Sequence, residues 1–226
     1  MDQPGDLHTV LKVLYLVFNE GYTGDIDLAA EAIRLARQLA AQTADEEVAG
    51  LLALFLLHHS RRPARHLADG RLVPLADQDR TLWRTDLIAE AVDVLQSALA
   101  RDRLGEYQVQ AAIAALHADA PSAAETDWVQ IVEWYDELIS LTDSPIARLN
   151  RAVAVGEADG PRAGLNALAD LDPALPRHTA ALAYLHEKSG DPAPAARLYA
   201  DAAARAQTVP ERDHLTMKAA SLRRGI

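Results

Sequence analysis

The sequence of 226 residues contains no cysteine, and this absence excludes several kinds of site at once. A protein without cysteine has no disulfide scaffold, no thiolate metal site and no cysteine nucleophile. Aromatic residues are scarce at 5%, so alanine and leucine, both strong helix formers, supply most of the apolar half of the chain. A β-sheet protein would depend on Val, Ile, Thr and aromatic residues instead. The composition therefore favours an all-α protein.

Long apolar runs and a targeting segment are missing as well. The longest apolar run, residues 51–57, is far shorter than the roughly 20 residues that span a bilayer. No basic start followed by an apolar core and a small-residue cleavage site is found. We therefore expect a cytoplasmic protein that makes no contact with a membrane.

Positive charge is the third quantity in short supply, because the formal net charge is −11. A domain that grips the DNA backbone carries a concentrated positive field, since neutralisation of phosphates drives that binding. Only the run from Arg61 to His66 is locally basic. We predict that this chain does not bind DNA directly.

Helical segments separated by short breaks predict about ten or eleven helices. The first, residues 7–20, is apolar on most sides, which predicts that it is buried. Residues 67–80 do not follow the helical pattern, and Asp69-Gly70 predicts a small hairpin turn there. Glycines stand at predicted helix ends and prolines at predicted helix starts. These positions are Gly105, Gly160, Gly190, Pro145, Pro161 and Pro210.

The last third of the chain carries a repeat pattern. In a tetratricopeptide hairpin a Gly-Asp turn joins two helices, with small residues about five and twelve positions after the glycine and an aromatic about nine after it. Gly190-Asp191 is such a turn, and Ala195, Tyr199 and Ala202 stand at those offsets. Ala183 occupies the small position of the preceding helix. The small residues would let paired helices approach closely, while the aromatic fills the gap between hairpins.

These patterns predict an all-α solenoid of helical hairpins that is tetratricopeptide-like in its C-terminal half. We expect one continuous domain with two parts. Residues 1–104 form an N-terminal helical subdomain, in which no repeat period is legible, and residues 105–226 form the tetratricopeptide-like repeats. One irregular or hairpin segment lies near residues 67–80.

No motif in the sequence demands an enzyme. A nucleophile elbow, a P-loop, a Rossmann glycine set and a Ser-x-x-Lys motif are all missing. His58 and His59 are neighbours that point to different helix faces, and neither has the i, i+4 partner of a zinc helix. We therefore predict no catalytic activity, no metal and no cofactor.

The polar run Asp77-Gln78-Asp79-Arg80 has two interpretations. It lies in the irregular segment, and loops of that kind often carry function. Alternatively, Asp79 or Thr81 only caps the helix that follows. The sequence leaves both interpretations open.

Several stretches taken together resemble one protein family. They are residues 14–22 (LYLVFNEGY), 30–35 (AEAIRL), 51–54 (LLAL), 60–65 (SRRPAR), 75–83 (LADQDRTLW), 107–122 (YQVQAAIAALHADAPS), 126–128 (TDW) and 149–155 (LNRAVAV). The set resembles the extracytoplasmic-function RNA polymerase sigma factors that carry a long, tetratricopeptide-like C-terminal extension. The resemblance runs from about residue 7 to residue 223.

The resemblance implies a regulatory role in transcription initiation. In that family the extension follows sigma regions 2 and 4, which read the promoter, and neither region fits into this chain. We therefore expect an isolated extension, either a fragment or a stand-alone relative. Its expected partners are sigma regions 2 and 4, in cis in a full-length protein, or RNA polymerase. A homodimer through an exposed terminal hairpin is also compatible with the sequence.

Candidate interaction residues are polar residues of these motifs that helical packing does not require. They are Asn19, Glu20, Tyr22, Arg61, Arg62, Arg65, Asp77, Gln78, Asp79, Arg80, Asn150 and Arg151. The alternative function is a ligand- or peptide-sensing helical-repeat domain. Its groove is predicted near Tyr107, Gln108, Gln110 and His117.

Overall fold

A computed structural model describes residues 4–21 and 27–225 of the chain. The α-helices of these residues are α1 (Pro4–Glu20), α2 (Leu28–Gln42), α3 (Glu46–Ser60), α4 (Thr85–Leu99), α5 (Glu106–Asp119), α6 (Trp128–Thr142), α7 (Pro145–Ala158), α8 (Pro161–Ala169), α9 (His178–Lys188), α10 (Pro192–Arg205) and α11 (Val209–Arg224). Short 3₁₀ turns cover Arg62–Ala64, Leu75–Asp77, Arg80–Leu82 and Ala123–Glu125. The all-α fold, with helices that pack on their neighbours in chain order, confirms the predicted fold class.

Contacts divide the chain into two compact units. The first unit comprises residues 1–63 and 79–121, and the second comprises residues 64–78 and 122–226. The predicted division at residues 104 and 105 falls between α4 and α5, whereas α5 packs on α3 and α4 within the first unit.

Helix α3 forms the centre of the first unit. Every side chain from Leu51 to Leu57 is buried, because α2, α4 and α5 all pack on this helix. A helix that is apolar on every side is stable only in such an enclosed position. Asp45 fixes where α3 begins, since its side chain accepts hydrogen bonds from the backbone amides of Glu47 and Val48.

Helix α1 is less buried than its sequence predicts. Val10, Val13 and Leu16 are 43%, 52% and 64% exposed. The prediction of a fully buried helix is wrong, because α1 packs mainly on α2 and reaches α3 on one side only. That contact includes the stacked rings of Phe18 and Phe55, whose centroids lie 4.2 Å apart. The opposite face of α1 therefore carries exposed apolar side chains.

The second unit is a series of helical hairpins in which each helix from α6 to α11 packs on the next. The four residues at the tetratricopeptide offsets are all buried in one hydrophobic cluster. They are Ala183, Ala195, Tyr199 and Ala202. The cluster also takes in Leu215 and Ala219 of α11. The predicted roles of the small residues and the aromatic are confirmed, and α11 packs on α10 in the same cluster.

Residues 64–78 belong to the second unit and form the expected small hairpin. His66 and Leu72 make an antiparallel bridge, and the Val73 amide donates to the carbonyl of Arg65 at 2.9 Å. Gly70 has a φ of +85°, which a glycine adopts without the penalty that other residues incur.

No helix among the residues that the structure describes is both long and apolar enough to cross a membrane.

The contact between α3 and α5 depends on Gly50. A Cβ at this position would lie 2.6 Å from the backbone nitrogen of Gln108, which is too close for any real contact. We predict that Gly50→Ala lowers the free energy of unfolding by about 1 kcal/mol or more. Overpacking lowers the free energy of unfolding by about 1–3 kcal/mol, whereas the higher helix propensity of alanine raises it by up to about 1 kcal/mol. Urea denaturation followed by circular dichroism measures the difference.

The exposed Gln96→Ala on α4 is the matched control, and its stability should stay within about 0.5 kcal/mol of the native chain. A Gly50→Ala variant as stable as the native chain would show that α5 can move away from α3 without loss.

Candidate interaction surfaces

The start of α5 is held by a carboxylate from α3. Glu47 accepts hydrogen bonds from the backbone amides of Tyr107 at 2.9 Å and Gln108 at 3.1 Å. Gly105, the N-cap residue of α5, has no side chain with which to satisfy those amides. Its lack of a Cβ leaves the space that the Glu47 side chain fills. Burial raises the pKa of Glu47, and the hydrogen bonds to its carboxylate oppose that shift.

Tyr107 and Gln108 are therefore part of the packing and do not line a groove. Gln108 is fully buried, and its side-chain amide donates to the carbonyl of Arg103 at 2.8 Å. Tyr107 is buried beside the ring of Tyr15, and burial raises its pKa to about 12. Gln110 donates to the Glu106 carboxylate on the same helix at 3.0 Å. The first two residues offer no accessible side chain to a ligand, contrary to the predicted groove.

Arg80 binds the opposite end of α5. Its guanidinium donates to the carbonyls of His117 at 2.6 Å and Ala120 at 2.9 Å, and lies 4.4 Å from the centre of the Trp83 ring. A cation at the C-terminal end of a helix satisfies carbonyls that lack partners within the helix and interacts favourably with the helix dipole. The position of Arg80 is thus explained by structure within the first unit.

His117 lies beside this arginine and close to a second one. Burial is the largest effect on its ring, followed by the positive charges of Arg61 and Arg80, and together they lower the pKa of His117 to about 4. The imidazole is therefore neutral at physiological pH. It does not add to the positive charge of the neighbouring arginines.

The basic run after α3 is partly neutralised. Arg62 forms an ion pair with Asp27 at 2.6 Å, and Arg61 contacts the ring nitrogen of His58 at 2.6 Å. Arg65 is half-buried in the second unit. Arg61 and Arg62 are therefore held by different neighbours within the first unit.

The run from Asp77 to Arg80 is divided between the two units. Asp79 accepts from the amide and the hydroxyl of Thr81 at 2.9 and 2.6 Å, so it caps the 3₁₀ turn that precedes α4. Asp79 therefore caps a short turn and not the next helix itself, because α4 begins at Thr85 after Arg84, which makes no side-chain cap. Gln78 donates to the carbonyl of Val73 at 3.1 Å. Asp77 is exposed in the second unit.

Polar bridges join the first helices of successive hairpins in the second unit. Glu157 of α7 accepts from the Tyr184 hydroxyl and from Lys188, both on α9. Glu187 of α9 accepts from Lys218 of α11 at 2.8 Å and from the Tyr199 hydroxyl at 2.6 Å. These bridges define a polar face shared by α7, α9 and α11.

Asp77 lies within electrostatic reach of this face. Burial raises the pKa of Tyr184, with smaller contributions from Glu157, Glu187 and Asp77. Burial and Lys218 lower the pKa of His214, and Asp77 opposes that shift. The sequence patterns point to Asp77 and to Tyr199, and they give no signal for Glu157, Tyr184, Glu187, Lys188 and Lys218. The bonded pairs Glu157–Tyr184, Glu157–Lys188 and Glu187–Lys218 are 27 to 31 residues apart, so no local sequence pattern signals them.

The remaining predicted residues have separate locations. Asn19 and Glu20 are exposed at the end of α1, and Tyr22 lies outside the described residues. Asn150 is exposed on α7. Arg151, also on α7, donates to the Asp136 carboxylate of α6 at 2.6 Å. The predicted interaction residues are thus divided between the two units, and their role in binding a partner stays a prediction.

Comparison with known proteins places this chain among uncharacterised relatives. Residues 6–99 match the model of a family of unknown function, DUF6596. The chain is also similar to an uncharacterised protein of Rhizobium meliloti (strain 1021), with 47% identity over 173 residues. The aligned part is 73% of this chain and 41% of the relative, so the chain spans about two fifths of the length of the relative that it matches.

The lowered pKa of His117 predicts a pH-dependent stability. An unfolded histidine has its ordinary pKa near 6.5, so the unfolded state takes up a proton before the native state does. Stability from this residue is complete above pH 6.5 and is lost as the pH falls toward about 4. The loss should be about 3 kcal/mol over that range. Urea denaturation at several pH values should show it in the native chain and not in His117→Gln. Parallel curves for the two proteins would contradict the prediction.

The contacts of Arg80 predict that its shape matters as well as its charge. Arg80→Ala should lose about 2–3 kcal/mol of stability, because two carbonyls lose a charged donor and Trp83 loses its stacking partner. Arg80→Lys should recover only part, since an ammonium lacks the planar fork of a guanidinium. Thermal and urea denaturation measure both changes.

Arg84→Ala is the matched control for Arg80, because among the described residues the hydrogen bonds of the Arg84 side chain go to the exposed carboxylate of Asp86. The loss of stability in Arg84→Ala should stay below about 1 kcal/mol. Equal losses at the two positions would show that the carbonyl contacts of Arg80 contribute nothing.

Proposed function

We propose that this chain is a non-catalytic regulatory domain of an extracytoplasmic-function-type sigma factor, acting through contacts with the sigma regions or with RNA polymerase. The resemblance of its motifs to that family supports the proposal. The length of the relative supports it too, since the similarity covers 41% of that protein and leaves room for further domains. Helical-hairpin arrays commonly present extended surfaces for binding other proteins.

The observation that carries the proposal is the exposed apolar face of α1. Val10, Val13 and Leu16 follow one another at three-residue spacing and are each more than two fifths exposed. Residues three apart lie near one another on a helix, so these side chains form one apolar stripe. A contiguous exposed apolar stripe marks a surface that another protein covers. Asn19 and Glu20 continue from this stripe at the end of the same helix.

The ion pairs of three arginines in the first unit favour a protein partner over DNA. Arg62, Arg37 and Arg84 each form an ion pair with a carboxylate of the same unit. Binding to a phosphate backbone would require these pairs to break in a chain with a net charge of −11. An apolar contact with a protein leaves them in place. We therefore assign the promoter-reading role to the sigma regions and the α1 face to a contact with one of them.

The test is capture of purified sigma region 2, sigma region 4 and core polymerase by the immobilised chain, at low and physiological salt. We expect capture of a sigma region that survives physiological salt, because an apolar contact is little screened. Leu16→Asp should weaken capture at least about tenfold, since it places a charge in an apolar interface. Quantitative pull-down and biolayer interferometry provide the measurement.

The matched control is Val129→Asp on α6, an apolar residue that is 62% exposed in the second unit. It should leave capture unchanged, and circular dichroism should show native helicity for both variants. Failure of the native chain to capture any of the three components would refute the proposal. Equal losses with Leu16→Asp and Val129→Asp would mean that α1 is not the contact surface.

A further inference from the structure

A cavity of about 320 Å³ opens in the second unit where three helix ends meet. Its walls come from the loop 173–177, the first turn of α9, the last turn of α10, the connection 206–208 and the first two turns of α11. A volume of about 300 Å³ lies at the lower end of the range for small-molecule sites. It is separate from the polar face of α7, α9 and α11 and from every residue discussed above as a candidate for partner binding.

The inner wall of the cavity is apolar. Ala202 and Leu215 line it, and both are buried members of the cluster that holds α9, α10 and α11 together. Ala180 and Ala206 also line it and pack against the same cluster. An apolar group in the cavity would therefore rest directly on the hydrophobic core and leave water on entry.

Two arginines and one carboxylate line this cavity. Arg177 donates through Nε to Glu211 at 3.0 Å, and both residues line the cavity. Arg205 donates only to the hydroxyl of Thr179, at the long distance of 3.4 Å, and makes no ion pair among the described residues. The cavity wall thus carries one positive charge in excess.

These features select the chemistry of a ligand. A guanidinium binds a carboxylate through two parallel hydrogen bonds, and a single excess positive charge matches a single negative one. Inorganic phosphate would satisfy the arginine and leave the apolar wall uncovered. A neutral hydrocarbon would cover the apolar wall but form no hydrogen bond or ion pair with Arg205. A carboxylate on an aliphatic tail satisfies both.

We propose that this cavity binds a carboxylate carried on a short aliphatic chain, with the carboxylate on Arg205 and the tail against Ala180, Ala202 and Leu215. Two sources share this chemistry: a free aliphatic acid, and the C-terminal residue of a peptide that ends in an aliphatic side chain. The site does not depend on the proposed sigma factor function, and its occupant would reach it without displacing any helix.

The first experiment is a titration of the full chain with hexanoate, followed by two-dimensional ¹H–¹⁵N NMR. We expect saturable shifts of amides in residues 174–180 and 202–215, and none of comparable size in the first unit. Hexanol and hexylamine are the matched probes without the negative charge. They should bind at least about tenfold more weakly, because they lack the charge-assisted hydrogen bonds to Arg205.

Variants test the two halves of the site separately. Arg205→Ala should raise the dissociation constant for hexanoate about tenfold, whereas Arg197→Ala, at an exposed position on the same helix, should leave it unchanged. Ala206→Leu should also weaken binding by filling the cavity, while Arg205 is retained. Because Arg205 is exposed, its alanine variant should fold, and an unchanged amide spectrum outside the site verifies this.

The source of the carboxylate is tested with acetylated pentapeptides that end in leucine, as the free acid and as the C-terminal amide. Tighter binding of the free-acid peptide than of hexanoate, lost in the amide, assigns the site to a peptide C-terminus. Tighter binding of hexanoate assigns it to a free acid. The proposal is overturned if no probe gives saturable shifts, if hexanol binds as well as hexanoate, or if Arg205→Ala binds hexanoate as the native chain does.

Discussion

The hydrogen bonds from the start of α5 to the Glu47 carboxylate fix the arrangement of the first unit. Helix α3 is apolar along most of its length, and apolar packing alone does not determine the register of the helix beside it. A partly buried carboxylate has few positions in which its oxygens are satisfied, and Glu47 accepts from two backbone amides at the first turn of α5. Gly50 and Gly105 then follow as requirements, because a Cβ at either position would meet a residue of this junction.

The second unit is specified in a different way. Its hairpins meet through alanines, which allow close approach, and through Tyr199, which fills the space between helices. Such contacts fix how close the helices come and leave their rotation less restricted. The bridges from Glu157 to α9 and from Glu187 to α11 restrict that rotation, and Glu187 also accepts from Tyr199 of α10 within its own hairpin. The packing is therefore repetitive, and the polar contacts are specific to each hairpin.

Sequence reasoning succeeded where the cause of the structure is local. The Gly190-Asp191 turn, the capping role of Asp79 and the Asp69-Gly70 hairpin depend on residues within about a dozen positions of one another. It failed where the partner is distant. From the sequence, Tyr107 and Gln108 are expected to be accessible polar residues. In the structure, Glu47, some 60 residues earlier, accepts hydrogen bonds from their backbone amides, and both residues are buried. Arg80 likewise finds its carbonyls 37 and 40 residues away.

The exposure of α1 has the same origin, since an apolar helix is buried only if enough neighbours surround it. The apolar pattern of α1 indicates that the helix packs away from water, but it does not indicate how many helices of the same chain cover it. A face that remains exposed after the unit has folded retains hydrophobic free energy that only another molecule can release. Arg205 is a different case, because water hydrates its exposed guanidinium after folding, and its position beside a cavity with an apolar wall distinguishes it from Arg197 on the same helix. Most other described arginines already donate to carboxylates or carbonyls at normal distances, so binding there would first break a contact. Partners are therefore expected where folding leaves apolar surface open to a ligand, and the α1 face and the wall of the Arg205 cavity meet that condition in separate units.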